Sequence, residues 1–206
     1  LVERAGAPLF DGMSDYEMPI TAQNADAQRY FNQGMVLAFA FNHAESIRSF
    51  RAAQTLDPSC AMCFWGEALA TGPNINVTSK GKVIMSAAER EAAFAALQQA
   101  LALKANATPR EQAYIEALAT RYNGKPETDR EPLDKAWAES MRKVAKQYPE
   151  DMTAASIYAE SLMNTMPWNY WSDDGIAKPE TSAVIESLDR VLEAEPDHPL
   201  ALHLYI

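Results

Sequence analysis

The stretch Tyr30–Pro58, YFNQGMVLAFAFNHAESIRSFRAAQTLDP, decides the fold. Apolar residues recur every three or four positions in two segments of similar length, with a turn near Asn42–His43. That is the period of helices burying one face, so the stretch predicts a pair of helices. Downstream the pattern returns with start signals of its own. Asp57 suits a helix N-cap and Pro58 the first helical position, where a missing N–H costs nothing. Ser86-Ala-Ala-Glu89 and Thr108-Pro-Arg-Glu111 read as capping boxes, the second with proline at N1.

Within the opening stretch, Gly34, Leu37, Ser46, Phe50, Ala53 and Pro58 take spacings 8, 11, 20, 24, 27 and 32 of a 34-residue unit. In this the chain resembles the tetratricopeptide repeat (TPR) family. Partial copies follow in phase. Ala68 then Ala93, Leu97 and Ala100 mark a second unit, and Leu118, Ala119 and Tyr122 then Trp137, Met141, Val144 and Pro149 a third. Tyr158, Ala159 and Leu162 then Val184, Leu188, Val191 and Pro196 mark a fourth, and Tyr205 and Ile206 a last half. The resemblance implies an all-α, TPR-like α-solenoid, a right-handed superhelix of antiparallel helix pairs. It covers 27–206 as about four repeats plus a C-terminal half-repeat, behind an irregular lead-in, 1–26, that carries Gly6, Pro8, Gly12 and Pro19. Departures from the family pattern are two A–B connections some 13 residues over length and the loss of the spacing-4 aromatic, which is Tyr30 and Phe64 early but Ile115 and Ala155 later.

Composition limits the partners. Of 206 residues, 48% are hydrophobic, enough for a substantial core. A net charge of −10 without a basic run disfavours nucleic acid and anionic membranes. No apolar run approaches the ~18 residues of a membrane span. The chain opens on Leu1 and ends in HLYI on an apolar half-repeat. We read from this a removed leader or trimmed start, a natural protein that is longer or covered by another chain, and a slight lean toward a periplasmic or secreted bacterial protein. The sequons Asn76-Val-Thr78 and Asn106-Ala-Thr108 carry little weight, being short.

Two surfaces could hold a partner. By the resemblance, helix-A residues at spacings 2, 5, 9, 12 and 13 line a concave peptide groove. Carried over, these are Gln28, Phe31, Met35, Ala38 and Phe39, then Met62, Trp65 and Leu69. Next come Ala113, Glu116, Thr120 and Asn123, then Thr153, Ser156, Glu160 and Met163, and finally His203. Phe31, Met35, Phe39, Trp65 and Leu69 favour apolar anchors, and Glu116 and Glu160 add acidity; the alternative is that the apolar set packs on the lead-in. The second surface is the loop edge, where the insertions 72–85, 123–130 and 164–178 would be neighbours. GPNIN and MPWNYW place Asn74, Asn76, Trp168, Asn169, Tyr170 and Trp171 there. They form either an aromatic, amide-lined pocket for a small polar ligand or peptide, or a plug for the groove.

Other chemistry is thin. Cys60-Ala-Met-Cys63, at a helix start, reads as packing or a local disulfide before redox, since no βαβ pattern surrounds it. His43 and His198 fall at opposite edges, and His198 and His203 are off the i,i+4 spacing of a helical metal pair. No GxSxG, phosphate loop or HExxH occurs, Lys80-Gly-Lys82 lacks the phosphate loop's glycines, and Asp173–Asp174 reads as a solvated turn. The expectation is a non-enzymatic scaffold without cofactor or metal that binds a peptide or partner protein in the groove. The alternative is a small-molecule or metal-binding protein using the loop edge, as part of a longer enzyme or alone. A third reading is self-association through the C-terminal end.

Overall fold

A computed structural model describes residues 2–76, 85–125 and 129–206. The helices are α1 (Val2–Ala5), α2 (Ala25–Phe39), α3 (His43–Leu56), α4 (Ala61–Thr71) and α5 (Ala87–Leu103). After a 3-10 turn at Lys104–Asn106 come α6 (Pro109–Ala119), α7 (Arg130–Gln147), α8 (Met152–Thr165), α9 (Pro179–Ala194) and α10 (Pro199–Leu204). Among the described residues the only strand-like pairing is one antiparallel bridge, Trp171–Ala177. From α2 to α9 each helix packs chiefly on its chain neighbours, most extensively α2 on α3, α4 on α5, α7 on α8 and α8 on α9. The sequon residues Val77 and Thr78 and the Lys80-Gly-Lys82 segment lie outside the described residues.

Both expected capping boxes form, Ser86 with Glu89 and Thr108 with Glu111. The expected cap at Asp57 does not. The N-cap of α4 is Cys60, three residues later. Asp57 accepts instead from the Ser59 N–H and hydroxyl (3.0 and 2.6 Å) and from the Gln23 N–H (2.5 Å), so its carboxylate is spent on the turn and the lead-in. Cys60 and Cys63 form a disulfide within the first turn of α4.

Helices α2, α3 and α4 close around Phe50, which is fully buried. Gly34 of α2 and Gly66 of α4 both abut its ring, and Phe31 meets it edge-on at 5.5 Å. The Ser46 hydroxyl, one turn before Phe50, donates to the Gly34 carbonyl at 2.7 Å. Next along the chain, buried Trp65 donates its indole N–H to the Tyr114 carbonyl at 3.1 Å and ties α4 to α6.

The lead-in is not loose. Residues 8–23 run as an extended strap whose main chain is held by side chains of the helices. Gln33 accepts from the Phe10 N–H (2.7 Å) and donates to the Pro8 carbonyl (3.0 Å). Gln28 accepts from Ile20 and donates to Met18, both at 2.9 Å. Glu111 takes the Thr21 N–H and hydroxyl at 2.5 and 2.7 Å. Arg110 donates to the Pro19 carbonyl at 2.7 Å. The Tyr16 hydroxyl bonds the Thr153 hydroxyl at 2.7 Å. Met18, 1% exposed, plugs the core.

In a one-dimensional repeat array each unit touches only its neighbours. Here α10 also packs on α2. The His203 Nδ1–H donates to the Phe39 carbonyl at 2.5 Å, and the His198 ring packs near Tyr16 and Phe39 at 5.4 and 5.9 Å. The last helix thus returns to α2.

Candidate ligand cavity at the loop edge

Local chemistry at the α2–α3 turn starts the site. Helix α2 ends in paired bonds from the Phe41 N–H to the Ala38 carbonyl and from the Asn42 N–H to the Leu37 carbonyl. This termination places the residue after the cap in the left-handed region, usually filled by glycine. Here it is Phe41, at φ 59°. A left-handed non-glycine residue costs about 1–2 kcal/mol. The ring that results sits 4.4 Å from His203 and 5.7 Å from His43. In the 164–178 insertion Trp168 is the other non-glycine residue with positive φ among those described, at 57°. Both line one cavity.

That cavity holds about 750 Å³. Its walls are Phe41, Ile75 and Asn76 on one side and Trp168, Tyr170 and Trp171 on another. Met163, Val184, Leu188, His203 and Leu204 supply much of the remainder. The insertion that carries the aromatics is folded, not slack. Ser172 N–H donates to Ile176 and Lys178 N–H to Tyr170, at 2.9 and 3.1 Å, with Gly175 at φ 74° in the turn. The Thr181 hydroxyl caps the same Tyr170 carbonyl. Trp168 and Trp171 nevertheless remain 66% and 52% exposed, although indoles are usually well buried.

The 72–76 segment is pinned as firmly. Arg121 donates to the Pro73 carbonyl at 2.6 Å, and the Tyr122 hydroxyl to the Ala68 carbonyl at 2.6 Å. The Asn74 carboxamide oxygen accepts from the Asn76 N–H, which turns its nitrogen toward His43 Nε2 at 2.9 Å. His43 therefore accepts at Nε2, and burial lowers its pKa, with the Ala70 carbonyl opposing and Arg121 reinforcing. His198 is pushed down to about 4, mainly by burial, and its Nδ1 accepts from the Ala201 N–H as a helix cap. It is a neutral structural residue.

The loop edge brings together Asn76, Trp168, Tyr170 and Trp171 but not Asn74, which is buried on His43, or Asn169, which is exposed and outside the cavity. The described part of the 123–130 insertion lines a different cavity, beside Phe94. The residues carried over to the concave groove fare differently. Phe31, Met35 and Trp65 are fully buried, Phe39 and Leu69 nearly so. They are core side chains: Phe31 packs on Phe50, Trp65 on Tyr114 and Phe39 on Tyr16 of the strap. Glu116 is exposed and paired with Lys104 at 2.6 Å. Ser156 is buried, its hydroxyl returned to the Thr153 carbonyl. Glu160 and His203 keep partial accessibility.

Sequence reasoning missed Phe41, Thr181 and the α9 wall residues Val184 and Leu188. Only Phe41 carried a signal: a bulky residue where helix termination favours glycine. Removing the ring but keeping the strain, in Phe41→Ala, should leave a protein about 1 kcal/mol less stable than Phe41→Gly, where the left-handed residue is free. Urea unfolding of the two variants measures the difference, and equal stability would show that Phe41 is not strained.

Comparison with family models, curated proteins and solved structures finds no match, so the chemistry is read from this geometry alone. Among the described residues no group of three or more His, Cys, Asp or Glu could hold a metal ion, and no helix is long and apolar enough to cross a membrane.

Proposed function

We propose that this chain is a helical-repeat binding protein, TPR-like in its hairpin units, that seats a small ligand with an apolar body in the loop-edge cavity. The observation that carries the reading is the ring of Phe41, Trp168, Tyr170 and Trp171 around one cavity, two of its members in a costly left-handed conformation. Strain of that kind persists only where the surroundings hold it, and it concentrates at binding sites. A cavity of about 750 Å³ is in the range of small-molecule sites, which are mostly apolar with a few polar groups. Binding is the role we assign to it.

The peptide groove ranks second. Its apolar anchors are buried, Phe39 against Tyr16 of the strap and Phe31 and Trp65 against Phe50 and Tyr114, so an incoming peptide would first have to displace that packing.

N-phenyl-1-naphthylamine, a neutral aromatic whose emission rises in apolar surroundings, tests the reading. The wild-type protein is expected to bind it at one site, and Trp168→Ala or Trp171→Ala to weaken binding about tenfold, as loss of an aromatic anchor does. Glu116→Ala, remote from the cavity, serves as control. Undiminished binding in both tryptophan variants would place the site elsewhere.

A further inference from the structure

The wall of this cavity carries an imidazole, and the polar side chains of α8 that follow stand outside its lining. His203 lines the wall, and because its Nδ1–H is committed to the Phe39 carbonyl, its Nε2 is left as an acceptor in the neutral ring. Glu160 interacts electrostatically with Arg121 and His203, and among the described residues no hydrogen bond or ion pair engages its carboxyl group. One helical turn further along the same face of α8 stands Asn164, next to the wall residue Met163. Asn164 is 3% exposed, yet both its amide oxygen and its nitrogen lack a partner. Orphaned polar atoms of this kind cost about 1–3 kcal/mol each. A fold keeps them where something else supplies the missing bonds. The nearby cation, Arg121, is already committed to the Pro73 carbonyl and lies 4.0 Å from Asp134.

We infer that the cavity's ligand is a small organic cation: an apolar or aromatic body that lies among Trp168, Trp171 and Phe41, ending in an ammonium or amidinium group received by Glu160, the Asn164 amide oxygen and His203 Nε2. Three acceptors match a donor-rich head group. Exposed indole faces attract the same charge, and the chain's net charge of −10 draws cations toward it. Burial raises the pKa of Glu160, with Arg121 and His203 opposing, so the carboxyl group ionises most readily when a cation arrives to pair with it.

The inference rests on the cavity reading and is tested so that the two can fail separately. Matched 4-phenylbutylamine, 4-phenylbutanol and 4-phenylbutyrate compete for bound N-phenyl-1-naphthylamine at pH 7. The amine is expected to displace the probe at concentrations at least tenfold below the alcohol, and Glu160→Gln to bring that ratio near one while the alcohol competes as before. Asn164→Leu, which removes the orphaned amide, should lower the amine preference without lowering the thermal midpoint; a merely structural Asn164 would not link the two. Equal competition by amine and alcohol, or a carboxylate that wins, overturns the cation assignment and leaves the cavity standing. Absence of probe binding overturns both.

Discussion

Replacing Gly66 with alanine is expected to lower the thermal midpoint by about 2–8 °C, even though alanine is worth about 1 kcal/mol more than glycine in a helix interior. A Cβ on Gly66 would lie 2.2, 2.5 and 2.6 Å from three ring atoms of Phe50. The ring cannot retreat. Gly34 closes its other side, where a Cβ would meet it at 2.7 Å, and Phe31 packs at its edge. Overpacking of a dense core typically costs about 1–3 kcal/mol, and in a chain of this size each kcal/mol moves the midpoint by about 2–4 °C. The cost belongs to the pair, so Phe50→Leu, destabilising alone, should lose less in the Gly66→Ala background than in wild type. Scanning calorimetry of the two single variants and the double completes the cycle. A neutral Gly66→Ala, or strictly additive losses, would mean that Phe50 does not wedge α2 against α4.

The same three helices show what could be read from the sequence. Gly34, Ser46, Phe50 and Ala53 sit at spacings 8, 20, 24 and 27 of the 34-residue unit, and all four are buried. The capping boxes at Ser86 and Thr108 were legible because their bonds join residues three apart. What escaped depends on partners far along the chain. Asp57 has the look of an N-cap, but Gln23, 34 residues away, claims one of its oxygens. Phe31, Met35 and Phe39 have the spacing of groove residues. Phe31 is buried instead against Phe50, and Phe39 against Tyr16 of a lead-in with no period of its own, while α10 returns to α2. At the site, proximity of the two insertions followed from their phase, whereas the left-handed turn of Phe41 and the orphaned Asn164 are properties of the packed chain.

Acid is expected to release the strap before the helices melt. Two of its anchors are carboxylates. Asp57 accepts from the Gln23 N–H, and Glu111 from the Thr21 N–H and hydroxyl while also closing its capping box with Thr108. Burial would raise both pKa values, but the hydrogen bonds to the charged forms outweigh it, so each is lowered from its ordinary 3.8 or 4.5. A lowered folded-state pKa stabilises the fold above the unfolded value, and that contribution is lost as pH falls through the folded value. Stability should therefore hold from pH 7 to about 5 and decline below 4.5. Residues 8–23, with no ladder of their own, should become open to pepsin near pH 3 while helical circular dichroism persists. Glu111→Gln supplies the control. An amide presents one acceptor oxygen where the carboxylate presents two charged ones, so this variant should be markedly less stable at pH 7. It should also show a shallower acid slope, because one of the two titrating anchors is gone. Parallel acid slopes in variant and wild type, or loss of helix before any cleavage of the strap, would rule out carboxylate anchoring as the cause.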